Sequence, residues 1–303
     1  MIKVFRFLAI CTIGALLATS SIAWAQTYRS IDYPGALLTA LVGGPNPQGT
    51  SVGYWQDASG VFHGFSLTAR GVFTSFDPPG SAFTLPTYIN PEGVIVGLYL
   101  DSGLVSHGFI LSGRTYTTVD YPGAVGSGLG SINPSGEISG SYCSDPACGW
   151  TGNGSTNQEH SFVLSKKGGV FTTFDPPGAT GSETSVVIPS GAVVGVYDTS
   201  AEGTCYNFCQ GYVLFHGQYA TINYPGSPYT YATGGNANGK IVGVYFDAGL
   251  GVYRGFLFSG GVYTAFDFPG ATFTEPTGIN PANVIVGGYY DSSGNEHGFI
   301  RTP

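Results

Sequence analysis

Charged side chains make up only 9% of the 303 residues, and three carboxylates among them could serve acid–base chemistry: Glu183, Glu275 and Asp145. Hydrolysis of a glycoside by two carboxyl groups needs one to donate a proton and the other to act as base or nucleophile. Tyr231 occupies the same position of an internal repeat as Glu183 and Glu275. These residues are the candidates for a polar cluster, although no G-x-S-x-G, H-E-x-x-H or P-loop motif assigns them a mechanism.

Aromatic and amide side chains concentrate in two other stretches, "CSDPACGWTGNGSTNQEH" and "DTSAEGTCYNFCQ". Aromatic rings stack on the apolar faces of sugars, and amides hydrogen bond to hydroxyl groups, so this composition suits a neutral glycan. Binding residues are often carried by loops on a rigid scaffold. The predicted binding residues are Trp150, Asn153, Asn157, Tyr206, Phe208 and Tyr231.

The same two stretches hold every cysteine except Cys11. An even number of cysteines in an exported chain indicates disulfides, and the simplest of three connectivities pairs Cys143 with Cys148 and Cys205 with Cys209. Such bridges would order the loops before a ligand binds. Zinc is the alternative, but no histidine lies within either pair. We therefore predict no metal and no other cofactor.

Residues 1–25 predict a secretory signal that is removed before Gln26. Lys3 and Arg6 precede an apolar run, and Ala23-Trp24-Ala25 forms an A-x-A cleavage site. A transmembrane anchor is the alternative, but the apolar run is short and is followed by hydroxyl residues. We expect a secreted protein, extracellular or periplasmic, with residues 26–303 as a single domain.

The charge balance argues against two classes of partner. Loss of Lys3 and Arg6 changes the formal charge from −8 to −10. Nucleic acid is held mainly by Lys and Arg on its phosphates, so an acidic chain is not expected to bind it. Anionic membranes are disfavoured for the same reason. We expect a monomer, without membrane insertion, that binds a glycan or a protein.

An Asp-x-Pro-Gly element recurs six times, at intervals of 45, 43, 55, 48 and 44 residues. A period near 45 with strand-like content is typical of β-propeller blades. With 49 Gly and 19 Pro, the chain is suited to many short strands separated by turns. The six copies begin at Asp32, Asp77, Asp120, Asp175, Asn223 and Asp267.

Turn signals divide each copy into four strands. In the second copy these are "AFTLPTYIN", "GVIVGLYLD", "HGFIL" and "RTYTTVDYPG". Four antiparallel strands per copy predict an all-β, six-bladed propeller. The mature chain opens with an isolated fourth strand, "TYRSIDYPG", and ends after a third strand, "HGFIRTP". Together these ends would complete the last blade and leave no free edge there.

The "HGF" triplets, which follow a G-x-I-V-G-x-Y strand, resemble the bacterial extracellular repeats of the HAF family. They occur at His63–Phe65, His107–Phe109 and His297–Phe299, and the similarity extends over the whole mature chain. This chain has Gly where the name-giving motif has Ala, and it replaces the histidine by Gln210 and Arg254 in two copies. The resemblance implies an exported repeat protein and assigns no chemistry.

Residues that recur once per blade are more consistent with structural than with catalytic roles. The third-strand histidines lie about 10 Å from the innermost strand, at about 4.8 Å per strand, and cannot converge on one metal. We expect them to hydrogen bond to the Asp of a nearby Asp-x-Pro-Gly corner. We likewise expect a local turn hydrogen bond for the hydroxyl residue four positions after each Pro-Gly. This set is Thr39, Thr84, Ser127, Ser182, Thr230 and Thr274.

Two classes of function follow. A binding or scaffold protein would use the loops of the third and fourth copies, around Trp150. An extracellular carbohydrate-active enzyme, a hydrolase or lyase, would use carboxylates at the mouth of the central channel. The departures from the sixfold pattern are concentrated in the two loops, which favours binding over catalysis.

Overall fold

The computed structural model describes residues 26–145, 159–167, 169–200 and 209–303. The regular secondary structure of this part of the chain is entirely β-strand, in six antiparallel sheets of four strands. The sheets follow one another around a ring, which confirms the predicted six-bladed propeller. Across the described ranges, no helix is long and apolar enough to cross a membrane.

The first three blades each consist of four consecutive strands. Blade 1 comprises β2 (Leu38–Gly43), β3 (Ser51–Gln56), β4 (Phe62–Leu67) and β5 (Phe73–Phe76). Blade 2 comprises β6 (Phe83–Ile89), β7 (Ile95–Leu100), β8 (Ser106–Ser112) and β9 (Thr115–Val119). Blade 3 comprises β10 (Gly126–Ile132), β11 (Ile138–Cys143), β12 (Glu159–Leu164) and β13 (Phe171–Phe174).

The last blade is completed from the other end of the chain, as predicted. Blade 4 comprises β14 (Gly181–Val187), β15 (Val193–Asp198), β16 (Gln210–Phe215) and β17 (Gln218–Ile222). Blade 5 comprises β18 (Thr230–Gly235), β19 (Ile241–Asp247), β20 (Val252–Ser259) and β21 (Val262–Phe266). Blade 6 comprises β22 (Phe273–Ile279), β23 (Ile285–Tyr290), β24 (Glu296–Thr302) and β1 (Thr27–Ile31), with Ile31 opposite Gly298.

The core between blades includes one aromatic ring from each third strand, packed among Val, Ile and Leu side chains. In the repeat this ring is the last residue of the "HGF" triplet or its equivalent, and each is at most 1% exposed. Full burial of such a ring contributes roughly 1.5–3 kcal/mol. The six rings are Phe65, Phe109, Phe162, Tyr212, Phe256 and Phe299.

Each second strand carries a glycine where the backbone of the innermost strand passes very close. A Cβ added to Gly287 would lie 2.0 Å from the carbonyl oxygen of Glu275 and 2.7 Å from the ring of Phe299. The equivalent distances in the other blades are 2.0–2.4 Å. This approach explains the glycine of the G-x-Y pattern in physical terms. The other five glycines are Gly53, Gly97, Gly140, Gly195 and Gly243.

We predict that Gly287→Ala destabilises the fold by at least about 1–3 kcal/mol, the usual cost of overpacking, because backbone atoms must move apart. Gly288→Ala is the matched control, since its Cβ would meet only ordinary contacts at 3.6 Å or more. Urea denaturation of the two variants tests this prediction. Equal midpoints for the two would contradict it.

The Asp-x-Pro-Gly corners connect each blade to the next through their first residue, and four of the six do so through their second residue as well. The corner Asp binds the third-strand histidine of the preceding blade, with Nδ1–carboxylate distances of 2.5–2.9 Å. In four corners the following residue stacks on an aromatic ring of the next blade, as Tyr33 does on Trp55 at 4.3 Å, and in the other two it is proline. The expected His–Asp hydrogen bond is therefore confirmed. The pairs are His63–Asp77, His107–Asp120, His160–Asp175 and His297–Asp32.

The two blades without this histidine keep the connection by different chemistry. Arg254 in blade 5 forms an ion pair with Asp267 at 2.7 Å. In blade 4 both partners change, because Asn223 donates from Nδ2 to Oε1 of Gln210 at 3.3 Å. Replacing a charged pair by two amides within one repeat preserves the corner.

The hydroxyl residues at the start of each innermost strand also belong to the corners. Thr39 accepts the backbone N–H of Tyr33 at 2.9 Å, and three other blades repeat this bond at 2.9–3.0 Å. Where the corner has a second proline, Ser182 donates to Asp175 at 2.6 Å and Thr84 donates to Ser81 at 3.3 Å instead. All six hydroxyl residues are at most 1% exposed. The local turn interpretation is therefore confirmed.

Candidate functional site

A cavity of about 260 Å³ lies at the mouth of the central channel. Its polar lining includes Glu183, Tyr231 and Glu275, the residues at one repeat position of blades 4, 5 and 6. Tyr54 of β3 and Glu296 of β24 also line it. The structure thus brings the three residues predicted from the innermost strands to one cavity and adds two from outer strands.

The first half of the cluster lies across blades 3, 4 and 5. Tyr231 donates its hydroxyl to Oε2 of Glu183 at 2.7 Å. Glu159 of β12 is 8% exposed, interacts with Glu183 and hydrogen bonds to Ser141. Burial raises the pKa of both carboxyls, and the charge of Glu183 raises the pKa of Glu159 further. Two desolvated carboxyls close together favour a shared proton.

The second half lies across blades 6 and 1. Tyr54 donates to Oε1 of Glu296 at 2.8 Å, and Tyr290 donates to Oε2 at 3.2 Å. Burial and the nearby charge of Glu296 raise the pKa of Glu275 to about 7. Burial also raises the pKa of Glu296, an effect that the tyrosine hydroxyls oppose. Glu275 is therefore poised to carry a proton near neutral pH.

The same surroundings also raise the pKa of the tyrosines. Burial and the adjacent carboxylates raise the pKa of Tyr54 and Tyr231 well above the usual value. Both hydroxyls therefore keep their protons and act as hydrogen-bond donors. A Cβ on Gly288 would be in ordinary van der Waals contact with this cluster, 3.6 Å from Oε1 of Glu296.

Sequence reasoning missed Glu159, Glu296 and Tyr54. It assumed that only the innermost strands reach the channel, whereas long side chains from the second and third strands also extend to it. A signal was present, since Glu159 and Glu296 both stand immediately before the third-strand histidine. The other copies have unrelated residues at this position. They are Phe62, Ser106, Cys209 and Tyr253.

Deeper in the channel, hydroxyl residues join neighbouring blades. Each innermost strand has a β-bulge, and Ser185 at one bulge donates to the carbonyl oxygen of Ala232 at 2.7 Å. Thr87 and Thr277 make the equivalent bonds to Leu129 and Leu41 at 2.7 and 2.9 Å. These bonds fix the floor on which the cluster stands.

The loops of blades 3 and 4 begin and end beside the cluster. Cys143 lies opposite Glu159 in the sheet, and Cys209 packs with Tyr231. Both cysteines are disulfide-bonded. Their pairing, and thus the predicted role of Cys148 and Cys205, falls outside the described residues, as do Trp150, Asn153, Asn157, Tyr206 and Phe208.

Asp145, the third candidate carboxylate, is not among the residues that line the cavity. It lies at the last described position before the loop of blade 3.

Within the described ranges, no group of three or more His, Cys, Asp or Glu side chains is arranged to hold a metal ion. The carboxyl cluster therefore consists of Glu159, Glu183, Glu275 and Glu296, supported by tyrosines.

The fold and this cavity define the class, a six-bladed β-propeller with a polar channel mouth. No known family and no curated protein matches the chain in sequence. The resemblance to HAF repeats accordingly stays an expectation.

Solved structures share the fold at low sequence identity. The putative TolB from Agrobacterium tumefaciens has a TM-score of 0.56 and 14% identity over 86% of this chain and 89% of that chain. The six-bladed, fucose-recognising lectin of Aleuria aurantia has a TM-score of 0.51 and 12% identity, over 90% of this chain and 93% of the lectin. The virginiamycin B lyase from Staphylococcus aureus has a TM-score of 0.52 and 12% identity, over 92% of this chain and 100% of the lyase chain. At this level of sequence identity, the structural similarity establishes only that the β-propeller fold is shared.

Proposed function

We propose that the protein is an exported carbohydrate-binding propeller whose ligand enters the cavity at the channel mouth. The observation that carries the proposal is the loss of sixfold symmetry there. Blades 4, 5 and 6 place Glu183, Tyr231 and Glu275 where the first three blades place Ala40, Leu85 and Gly128. Structural duplication alone would not produce hydrogen-bonding groups that converge on one cavity.

The chemistry of the lining suits a sugar. Carboxylates accept hydrogen bonds from sugar hydroxyls, and the rings of Tyr54 and Tyr231 offer apolar faces for stacking. The cavity of about 260 Å³ is near the lower end of ligand pockets, about 300–1,000 Å³. It therefore fits a small ligand such as one sugar residue of a longer chain.

The loops of blades 3 and 4 would extend this site outward. Their described ends, Cys143 and Cys209, adjoin Glu159 and Tyr231. We propose that Trp150 and Tyr206, which these loops carry, take part in binding the sugar. The lectin from Aleuria aurantia supports the general idea, because a propeller of the same blade number recognises fucose.

A glycan array probed with purified protein tests the proposal. We expect Glu183→Gln to weaken binding about tenfold or more, since a hydrogen bond to a charged group contributes about 1.5–3 kcal/mol. Trp150→Ala is expected to reduce the same signals. Glu92→Gln removes an equal charge from an exposed site on another surface and serves as control.

The outcomes separate the two parts of the proposal. Unchanged binding by Glu183→Gln, or no glycan bound by the wild type, would overturn the channel-mouth site. Unchanged binding by Trp150→Ala would mean that the loops do not contribute to binding, and it would leave the channel-mouth site in place.

A second candidate is acid–base catalysis on a carbohydrate, and Glu275 favours it specifically. A carboxyl with a pKa of about 7 can donate a proton near neutral pH, as a glycosidase or lyase requires. Its catalytic partner would be Glu183. If the protein degrades a polysaccharide, Glu275→Gln and Glu183→Gln should each abolish that activity, and an activity that survives both changes would exclude this mechanism.

A further inference from the structure

The cavity contains an excess of acidic groups that no basic residue of its lining neutralises. Three glutamates line it, and its lining includes no Lys, Arg or His. The loop segments 146–158 and 201–208 also contain no basic residue. His297, the histidine that follows Glu296 in β24, is bonded to Asp32 and Asp291, and its charge also lowers the pKa of Glu296.

The carboxyls are arranged in two like-charged pairs. Glu159 interacts with Glu183, and Glu275 interacts with Glu296, each in partly or fully desolvated surroundings. Two ionised carboxyls in such a site repel each other and lose hydration. Either protons or a cationic ligand can relieve this cost.

The hydrogen-bonding capacity of the site is also incompletely used. Tyrosine hydroxyls contact Glu183 and Glu296, but no donor among the described residues contacts the Glu275 carboxyl. Buried polar groups normally have partners, so the unpaired carboxyl of Glu275 at the cavity wall points to a ligand.

We propose that the sugar recognised here is an amino sugar with a free ammonium group, an inference that rests on the proposed carbohydrate site. The ammonium has three N–H donors and one positive charge, and Glu275 and Glu183 supply unneutralised acceptors. The ring of Tyr54 or Tyr231 adds a cation–π contact. An N-acetylated sugar offers no charge, and its acetyl group adds bulk in a small cavity.

Three trisaccharides that differ only at C2 provide a direct test: β-1,4-linked glucosamine, N-acetylglucosamine and glucose. Binding is measured by isothermal titration calorimetry. EDTA in the buffer prevents a metal ion from occupying the place of the ammonium group. We expect the glucosamine trimer to bind wild-type protein at least tenfold more tightly than the other two. We expect Glu275→Gln to lose most of this preference and Glu92→Gln to keep it.

The alternatives have different consequences. Equal binding of the three sugars, or preference for a neutral one, would overturn the ammonium inference and leave the carbohydrate site intact. Failure of the glucosamine trimer to bind would also overturn it. If, in addition, the glycan array shows no ligand, the proposed function fails as well.

Discussion

Replacing Glu275 by glutamine is expected to stabilise the folded protein at pH 8. The pKa of Glu275 is about 7 in the folded state, against 4.5 for an ordinary glutamate. Between these values the folded state binds more protons than the unfolded state, so stability falls as pH rises from about 4.5 to 7. At pH 8 the ionised carboxyl costs about 3 kcal/mol, which a neutral amide avoids.

Chemical denaturation of the wild type and Glu275→Gln at pH 5 and pH 8 measures this effect. The difference between the two proteins should be small at pH 5 and large at pH 8, because other titrating groups contribute equally to both. Glu92→Gln should show no such dependence. A Glu275→Gln variant less stable than wild type at pH 8 would mean that this carboxyl is ionised at little cost.

Deletion of β1 is expected to have a still larger effect. Without residues 26–31, β24 loses the whole of its outer partner, and the buried side chain of Ile31 leaves the core formed with Leu41 and Phe65. Burial of Ile31 alone contributes about 1.5–3 kcal/mol, and the backbone pairing adds to it. The exposed edge should also promote self-association.

Complementation in trans distinguishes loss of ring closure from general misfolding. Light scattering and thermal denaturation should show an unstable, self-associating deletion variant. A peptide of residues 26–35 should restore a monomeric profile and raise Tm, whereas a scrambled peptide should not. A deletion variant with wild-type Tm would show that β1 does not close the ring.

The sequence was sufficient to predict the architecture because each copy repeats its own turn chemistry. Asp-x-Pro-Gly corners set the period, and the lone fourth strand before Asp32 predicted the closure that β1 and β24 form. The His–Asp connection followed from the recurrence of both partners, and Gln210 with Asn223 shows that they change together.

The site was predicted only in part, for a reason of geometry. Glu183, Tyr231 and Glu275 could be found because the innermost strands face the channel. Glu159 and Glu296 begin third strands, and how far a side chain reaches inward depends on what the neighbouring blade leaves open. Gly288, which has no side chain, lies beside Glu296, and no periodicity of the sequence records this neighbour.

The carboxyl cluster lowers the stability of the propeller, and its position at the channel mouth explains why it is retained. Repeat positions that serve only the fold carry glycine, buried aromatic rings or corner pairs in every blade. The channel mouth departs from this pattern with carboxyls whose raised pKa values mark unfavourable ionisation. A destabilised site on a rigid scaffold is the usual arrangement where function and stability compete.

A crystal structure of the protein with a bound sugar tests the central claim most directly. We predict that the sugar occupies the channel mouth, within hydrogen-bond distance of Glu183 and Glu275 and against the ring of Tyr54 or Tyr231. A sugar bound instead between the outer strands of two blades, with the channel mouth filled only by water, would contradict it.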